Sequence, residues 1–335
     1  KKEWTRLKLS SGVRYDYRSY SVAGFDFNNA PYSGNLVFNN VSATLGGVYR
    51  VGSEKNVSFS FSSAWRPPHV AELYSFGTHQ SAASIEYGLL LNDDNRILTI
   101  AESNFKNENA FKWVTTYRIE KSKMKYEVTG YLNYIYNYIY LRPTGITTTS
   151  RGGAPYFRYT QTDASFLGAD FSAEWTPTSH LRISPRASLL AATDVTNSDY
   201  LVFIPPNRYE AAFRWESLEQ LRLKGFFVEA KVLFTDRQHR APRTITPRQF
   251  LEAFEQGIDL FANDKRNFDF MDAPAAYWLV NLSTGFSVRA QKVKYDFRLS
   301  ADNLFNTTYR NYTNRLRYFA NELGSNFSIL LKCTF

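Results

Sequence analysis

The 335-residue sequence has one cysteine, Cys333, and lacks both a long apolar run and a catalytic signature. A single cysteine excludes a disulfide framework within the chain. No apolar stretch approaches the ~18–20 residues that a membrane-spanning helix needs. No Gly-x-Ser-x-Gly, His-Glu-x-x-His or phosphate-loop pattern occurs, so the common hydrolases and the phosphate-loop enzymes are not predicted.

The charged residues give no sign of nucleic-acid binding or of catalysis. The net charge is +9, but lysine and arginine are scattered, without a basic run or an RNA-binding aromatic motif. The carboxylate pairs Asp93-Asp94 and Glu252 with Glu255 fall in a predicted loop and a predicted surface helix, where solvated charge is the ordinary state. We therefore predict no enzyme activity, no cofactor and no nucleic-acid partner.

Aromatic residues are abundant although the chain as a whole is polar. They make up 17% of the sequence, with 23 Tyr and 27 Phe, while the mean hydropathy is only −0.39. This combination fits strands that show one face to lipid and the other to water, with rings at the interfaces. The last residues agree, because Phe327, Ile329, Leu331 and Cys333 alternate with mostly polar neighbours up to Phe335.

The same two-residue period recurs in about twelve segments of the chain. In one of them, Leu167, Ala169 and Phe171 alternate with Asp170 and Ser172. Each segment is near the ~9–11 residues with which a tilted strand spans a bilayer. The apolar positions predict a lipid-facing set that includes Val57, Phe59, Phe61, Leu167, Ala169, Phe171, Ile329 and Leu331.

The connections between these segments alternate between short and long. We predict short polar turns near 52–56, 120–123, 176–180, 217–221 and 289–292, and long connections near 18–39, 66–97, 142–157, 193–207, 236–275 and 304–324. A soluble sandwich has no reason to sort its loops in this way, whereas a membrane barrel has short periplasmic turns and long extracellular loops. The sequence therefore predicts one all-β domain over 1–335, a transmembrane antiparallel β-barrel.

One long connection contains a helix signal. Thr246-Pro247-Arg248-Gln249 has the form of a capping box with proline at the first helical position. Phe250, Phe254 and Ile258 follow four residues apart, so we predict a short helix that ends near Gly257. Two placements remain open for it, over the barrel mouth or packed against neighbouring loops.

Two stretches resemble a known family, the TonB-dependent outer-membrane receptors. In residues 65–79 an arginine-proline pair is followed by Glu72-Leu73-Tyr74, and 98–103 is similar to the family's Leu-x-x-Glu-x-Ser element that opens the next strand. Residues 301–310 contain Asn-Leu-Phe-Asn-x-x-Tyr, which is similar to the signature near the carboxyl end of such receptors. Residues 273–282 also fit the family's third-last strand.

The resemblance implies a larger protein than this chain. Such receptors form barrels of ~22 strands with the lumen closed by an amino-terminal plug, so twelve strands would be the carboxyl-terminal part of the barrel. The chain opens on Lys-Lys-Glu-Trp without a signal peptide, and no plug is recognisable. We therefore expect a processed or partial chain in the outer membrane of a Gram-negative bacterium, in contact with lipid and lipopolysaccharide. TonB would act through the plug.

The function that the resemblance implies is import of a scarce nutrient, with a ferric chelate of the siderophore or iron-citrate kind as the first choice. Haem, cobalamin or an oligosaccharide are alternative ligands, a passive porin or a barrel enzyme are alternative classes, and a surface lipoprotein is a possible partner. Arginines hold anions through charge-assisted hydrogen bonds, although loop arginines also pair with lipopolysaccharide phosphates. The candidate ligand-binding residues are Arg66, His69, Tyr74, His79, Arg151, Arg240, Arg243 and Arg248.

A metal ligand is predicted only if the ligand is haem. Imidazole can coordinate haem iron, so His69 or His79 would then serve. The Asn-Pro-x-Leu box of haem receptors is missing, because the corresponding residues 92–98 contain no proline. The chelate is therefore favoured over haem.

Overall fold

A computed structural model describes residues 2–26, 28–94, 96–147, 154–217, 224–261, 264, 266–290 and 292–335. The strands are β1 (Lys2–Glu3), β2 (Leu7–Phe25), β3 (Pro31–Arg50), β4 (Lys55–Arg66), β5 (Phe76–His79), β6 (Ser84–Tyr87), β7 (Glu108–Lys121), β8 (Met124–Thr147), β9 (Pro155–Trp175), β10 (Leu181–Asp194), β11 (Asp199–Tyr200), β12 (Arg208–Glu216), β13 (Lys224–Thr235), β14 (Arg243–Thr244), β15 (Phe268–Asp269), β16 (Tyr277–Ala290), β17 (Val293–Asp302) and β18 (Asn326–Thr334). The α-helices are α1 (Val70–Tyr74) and α2 (Pro247–Glu255), and short 3-10 helices cover Gln80–Ala82 and Arg315–Tyr318.

Twelve strands of nine residues or more form one continuous antiparallel wall in the described part of the chain. They pair in the order β2-β3-β4-β7-β8-β9-β10-β12-β13-β16-β17-β18. Each strand thus pairs with the next long strand along the chain, as expected when consecutive strands are joined directly. The predicted number of about twelve strands is confirmed.

One face of the wall is apolar across many strands. The register places Leu45, Phe61, Trp113, Leu132 and Leu167 directly beside one another on five neighbouring strands. Phe61 is 46% exposed and Leu167 is 59% exposed, so the protein itself does not cover this row. The row contains members of the predicted lipid-facing set and has the composition of a surface in contact with hydrocarbon.

The opposite face of the wall is charged. Neighbouring strands are joined there by ion pairs between Arg118 and Glu127, Arg186 and Glu210, Lys231 and Glu210, and Arg214 and Glu229. Side chains on this face alternate with the apolar set because successive residues of a strand point to opposite sides. The predicted alternation between a wet face and an apolar face is confirmed.

The predicted short turns near 52–56, 120–123, 176–180 and 289–292 are confirmed, and residues 218–221 of the predicted turn 217–221 lie outside the described residues. Two long connections are shorter than predicted. β3 and β4 are joined through 51–54, β7 and β8 through 122–123, and β16 and β17 through 291–292. The predicted long connection 18–39 is wrong, because β2 and β3 stay paired from Leu7↔Tyr49 to Phe25↔Pro31. The predicted connection 142–157 is also mostly strand, since β8 reaches Thr147 and β9 begins at Pro155.

These errors share one physical cause. β2, β3, β8 and β9 have 19, 20, 24 and 21 residues, well beyond the predicted bilayer span. Beyond the bilayer the outward face of a strand no longer has to be apolar, while the inward face can pack against connections, as Leu36, Phe38 and Phe157 do. The simple alternation between an apolar and a polar face is therefore lost while the backbone ladder continues. The predicted strand onset at 98–103 is wrong as well: Ser103 N donates to Thr99 O in a turn, and β7 starts at Glu108.

The buried apolar clusters of the described residues lie on the side of the long connections. One joins Leu36 and Phe38 of β3 to Leu73 and Leu90. A second packs the connection 195–207 onto β8, β9 and β10, and a third surrounds Phe157 with aromatic residues of the connection 236–276. We call the packed connections 67–107, 195–207, 236–276 and 303–325, with the adjoining ends of β8 and β9, the roof.

Helix α2 confirms the capping-box prediction. The Thr246 hydroxyl accepts a hydrogen bond from Gln249 N at 3.3 Å, and the Gln249 side chain accepts from Thr246 N at 2.8 Å. Gly257 adopts a φ of 64° just after the helix, which glycine tolerates without strain. Phe250 contacts Phe261 and Phe268, so the helix packs against its own connection. No helix within the described ranges is long and apolar enough to cross a bilayer.

Candidate functional site

The roof is organised around β6, a short strand that leaves its own part of the wall. β6 pairs in parallel with Tyr156–Arg158 of β9. β8 occupies one edge of β9 there, and the pairing of β9 with β10 ends at Ala164↔Asp194. β6 therefore takes the edge that β10 has vacated. The connection 67–107 starts at β4 and so reaches past the ends of β7, β8 and β9.

A charged bridge ties β6 to a connection from a distant part of the chain. Arg315 Nη1 donates to Glu86 Oε1 at 2.5 Å and to Ser84 Oγ at 3.2 Å. The Tyr159 hydroxyl donates to the other Glu86 oxygen at 3.3 Å. Glu86 is almost fully buried, whereas 23% of the Arg315 side chain is exposed. We call this contact the Glu86–Arg315 bridge.

Arg315 retains donors that could bind a further group. Its Nε and Nη2 atoms make no hydrogen bond to any described residue and are not fully buried. The guanidinium lies 5.9 Å from the centre of the Phe157 ring. Arg315 thus has two donor atoms without a partner among the described residues, and its guanidinium lies against the buried Phe157 ring.

A second half-buried arginine contacts the next residue of β6. Arg158 lies 5.6 Å from the centre of the Tyr87 ring. It donates to Leu91 O at 2.7 Å and to the exposed Asp93 carboxylate at 3.3 Å. Tyr87 in turn packs between Phe76 and Tyr156, with ring centres 5.8 and 5.4 Å away. This part of the roof combines cations, hydroxyls and stacked rings.

A buried ion pair fixes the connection that carries Arg315. Arg317 and Asp269 form a hydrogen-bonded pair whose side chains are 0% and 2% exposed. The Tyr318 hydroxyl donates to Asp269 at 2.5 Å, and the Tyr312 ring centre lies 4.7 Å from the guanidinium. Burial raises the pKa of Tyr318 well above its ordinary value, so this hydroxyl stays protonated and donates. The pair joins the connections 303–325 and 236–276.

A second buried network ties the connection 236–276 to the wall. The Asp194 carboxylate is fully buried and accepts hydrogen bonds from Thr162, Asn197 and Asn267. Asn267 also accepts from the Tyr140 hydroxyl at 2.8 Å. Because an unpaired buried polar group is costly, such a satisfied network holds its elements in one arrangement.

Arg66, a predicted ligand-binding residue, forms ion pairs with two carboxylates inside the roof. Its Nη1 donates to both Glu72 oxygens at 2.9 and 2.8 Å, and its Nη2 donates to Glu108 at 2.7 Å. Glu108 also accepts from Ile139 N at 3.1 Å. Arg66 thus links α1 to β7 and β8, and its role in the structure is to position the start of the connection 67–107.

Replacing Arg66 by Met should loosen this part of the roof. Glu72 and Glu108 would each lose a charge-assisted partner while they remain mostly buried, at a cost of ~1–3 kcal/mol. We expect faster chymotrypsin cleavage within 67–107, a protease whose aromatic and leucine sites there are the same in both variants compared below. The matched change Arg96→Met removes an exposed pair with Glu102 and should cost less than ~1 kcal/mol. Equal effects of the two variants would contradict the role given to Arg66.

His69, Tyr74 and His79 lie on the connection 67–107. His69 is the N-cap of α1: its Nδ1 accepts from Ala71 N at 3.2 Å, while the Glu72 carboxylate accepts from His69 N. His79 is exposed and its Nδ1 lies 3.2 Å from Ser81 Oγ. Tyr74 stacks on Tyr32 of β3, with ring centres 5.4 Å apart and planes at 4°. All three have local structural partners.

The remaining predicted arginines do not converge on one point. Arg240 donates to Leu190 O and Asn207, Arg243 pairs with Asp264 at 2.6 Å, and Arg248 pairs with Glu252 on the exposed side of α2. Hydrogen bonds from Arg266 hold the pKa of Asp264 below its usual range, so Asp264 stays ionised beside Arg243. Arg151 lies outside the described residues.

The sequence reasoning missed the residues around β6. Glu86, Arg158 and Arg315 were not among the candidates, and 229 positions separate Glu86 from Arg315. One available signal was the clustering of Arg310, Arg315 and Arg317 within the predicted long connection 304–324. The partner on β6 could not be found, because its placement depends on how the connection 67–107 crosses the wall.

A separate recess lies on the charged face of the wall, under the connection 195–207. It has a volume of about 550 Å³, and Glu127, Asp170, Arg186, Arg208 and Glu210 are among the residues that line it. Both signs of charge are present, so the recess has no clear preference for an anion or a cation. The described residues contain no group of three or more His, Cys, Asp or Glu side chains that could hold a metal ion.

An antiparallel wall with one apolar and one charged face, short turns on one side and a packed roof on the other defines a class of protein, the membrane β-barrels with folded loops. The chain belongs to a particular family within it. Residues 2–304 match the family model of the TonB-dependent receptor-like β-barrel. This confirms both the family prediction and the predicted fold class. The members of this family are receptors and transporters and not enzymes.

Solved structures show the same fold at low sequence identity. The copper transporter OprC matches 96% of this chain with a TM-score of 0.69 and 15% identity. The FrpB iron transporter from Neisseria meningitidis matches 98% of this chain with a TM-score of 0.62 and 11% identity. The ferric-catecholate import receptor Fiu from E. coli K12 matches 98% of this chain with a TM-score of 0.59 and 15% identity. This chain spans 44%, 43% and 42% of those three chains, respectively. A comparison with curated protein sequences gave no match.

Proposed function

We propose that this chain forms part of the wall and of the extracellular roof of a receptor that imports an anionic ferric chelate across the outer membrane of a Gram-negative bacterium. The chelate would be of the siderophore or iron-citrate type. TonB would supply the energy through a plug domain in the complete receptor. The chain supports this proposal through its family membership and through the chemistry of its roof.

The observation that carries the ligand proposal is the position of Arg315. Its Nε and Nη2 atoms have no hydrogen-bond partner among the described residues, its guanidinium lies 5.9 Å from the centre of the Phe157 ring, and the Tyr159 hydroxyl bonds to the same Glu86 carboxylate. A carboxylate or catecholate oxygen would accept these donors, and a charge-assisted hydrogen bond contributes ~1.5–3 kcal/mol. Arg158 of β9 adds a second cation, and Tyr87, the residue that follows Glu86 on β6, adds an aromatic ring.

Several structural neighbours are named for iron uptake. They include FrpB, Fiu and the ferric yersiniabactin uptake receptor FyuA from Yersinia pestis. OprC is named for copper. The neighbours are 11–15% identical to this chain, so they support the fold and make iron the first ligand to test.

The proposal also assigns partners to the two faces of the wall. The apolar face, with Phe61 and Leu167, would contact membrane lipid, and basic residues above it would contact lipopolysaccharide. The charged face, with Arg186 and Glu210, would face the plug and the aqueous lumen. A surface lipoprotein that loads the ligand would approach the roof from outside.

Binding to the complete receptor tests the ligand class. We expect ferric citrate or a ferric catecholate to bind, and Arg315→Gln to weaken binding by ~10–100-fold, since each ~1.4 kcal/mol corresponds to tenfold in affinity. Arg248→Gln is the matched control, because Arg248 is 87% exposed on α2 and already paired with Glu252. Isothermal titration calorimetry measures the affinity, and iron-dependent growth measures import.

Other outcomes would point to the other ligands. A Soret-band shift with haem that is lost in His69→Ala or His79→Ala would favour haem. Growth on cobalamin or an oligosaccharide, without binding of ferric chelates, would contradict the iron proposal and leave the receptor class intact.

A further inference from the structure

Strands β5 and β6 pair with each other from Phe76↔Tyr87 to His79↔Ser84 and form a hairpin. We infer that the Glu86 carboxylate is a built-in competitor for the ligand anion at Arg315, and that the Glu86–Arg315 bridge holds this β5–β6 hairpin across the barrel mouth until the ligand displaces it. The first part rests on the proposed function. The second part, that the bridge holds the hairpin, does not depend on which ligand binds.

The bridge joins two elements that are each anchored independently. On one side, the buried Arg317–Asp269 pair and the Tyr318 hydroxyl fix the 3-10 helix Arg315–Tyr318. On the other side, β6 is held by its pairing with β9 and by the Tyr159 hydroxyl on Glu86. Breaking the bridge would leave the 3-10 helix anchored by the Arg317–Asp269 pair, whereas β6 would depend on its pairing of three residues, Ile85–Tyr87, with β9. The hairpin is therefore the element that we expect to be released.

The order of the strands places the bridge across the mouth of the barrel. β6 lies on β9, and Arg315 belongs to the connection between β17 and β18. β10, β12, β13 and β16 stand between β9 and β17 in the wall. In a curved wall, connections so far apart in strand order meet most directly across the mouth. The hairpin consequently lies in the way of a ligand that enters from outside.

An incoming anion can exchange with Glu86 because it offers Arg315 the same chemistry. A ligand carboxylate would first bind the free Nε and Nη2 atoms, which form one edge of the guanidinium and suit a bidentate contact. The remaining Nη1 contact to Glu86 then competes with the ligand for the same positive charge. Arg315 is partly exposed, so the ligand reaches it without unfolding the roof.

Neutralising Glu86 and neutralising Arg315 should therefore change the affinity for the ligand in opposite directions. Glu86→Gln removes the competing charge and should tighten binding of ferric citrate by ~3–10-fold, roughly 0.7–1.4 kcal/mol. Arg315→Gln removes the anion-binding group and should weaken it. If the bridge were purely structural, both variants would change the affinity for ferric citrate in the same direction, because both break the same contact. Titrations on the complete receptor with ferric citrate as the probe distinguish these outcomes.

A labelling experiment tests the second part without a ligand. Ile85 is 7% exposed on the hairpin, and Ile85→Cys in a Cys333→Ser background should react slowly with a maleimide on intact cells. Adding Glu86→Gln or Arg315→Gln should raise the rate by about tenfold or more. Adding Glu252→Gln, which breaks the exposed pair on α2, should not. Ser81→Cys, at an exposed position, should label rapidly in every background.

The results separate the inference from the proposed function. Unchanged labelling of Ile85→Cys after Glu86→Gln would show that the bridge does not hold the hairpin. Trypsin cleavage at Arg96, in the same connection, gives a second reading if the cysteine variant folds poorly. Weaker binding by both bridge variants would overturn the competitor role. Failure of the parent receptor to bind any ferric chelate, with faster labelling in Glu86→Gln, would contradict the proposed ligand and retain the bridge.

Discussion

Replacing Arg317 by Met should destabilise the roof by ~3–5 kcal/mol, because it leaves a buried carboxylate without its cation. Asp269 is 2% exposed and would keep neutral donors, the Tyr318 hydroxyl and Phe270 N, in place of the cation. We expect the connections 236–276 and 303–325 to become sensitive to trypsin at lower urea concentrations. The wall should still fold, since its strands pair through their own backbone ladders.

A double variant tests the cause of this loss. Asp269→Asn in the Arg317→Met background removes the uncompensated charge and should recover a large part of the stability. Arg266→Met is the matched control, because Arg266 pairs with Asp264 at the surface and its side chain is 58% exposed; its effect should stay below ~1 kcal/mol. If the double variant is as unstable as Arg317→Met alone, the loss comes from packing and not from the buried charge.

Placing arginine at Ala169 should destabilise the barrel by ~2–4 kcal/mol, because the side chain would enter hydrocarbon at mid-bilayer depth. Ala169 lies between Gly130 and Leu189 on the apolar face. Ser172→Arg is the matched change on the same strand and the opposite face. Ser172 lies directly across from Glu127 and Arg186, and the Glu127 carboxylate can pair with the new cation.

Denaturant unfolding in lipid vesicles, followed by tryptophan fluorescence, measures the two changes on the complete receptor. Ser172→Arg should cost much less than Ala169→Arg. Equal costs would mean that the apolar row from Leu45 to Leu167 is not the lipid face. The same comparison at Phe59 should agree, since Phe59 faces the same side as Ala169 in the register.

The candidate site was less predictable than the wall. The sequence led to Arg66, Arg240, Arg243 and Arg248 because they are basic residues in long connections. The structure gives three of them carboxylate partners and the fourth backbone and amide partners. A loop arginine's partner lies elsewhere in the chain, so its availability to a ligand cannot be read from its own neighbourhood.

The sequence by itself determined the antiparallel wall, its two faces, the short turns and helix α2. Each of these depends on neighbours within a few residues: the two-residue period of a strand, the polar turn between paired strands, and the Thr246–Gln249 capping box. The length of β2 and β3 beyond the bilayer was not determined, because a strand outside hydrocarbon no longer needs an apolar outward face and so loses the regular period while it keeps its ladder. Only the tertiary structure decided which charged residues meet in the roof. The residues of the Arg317–Asp269 pair are 48 positions apart and those of the Glu86–Arg315 bridge are 229 positions apart, and their meeting depends on how the connections cross a curved wall.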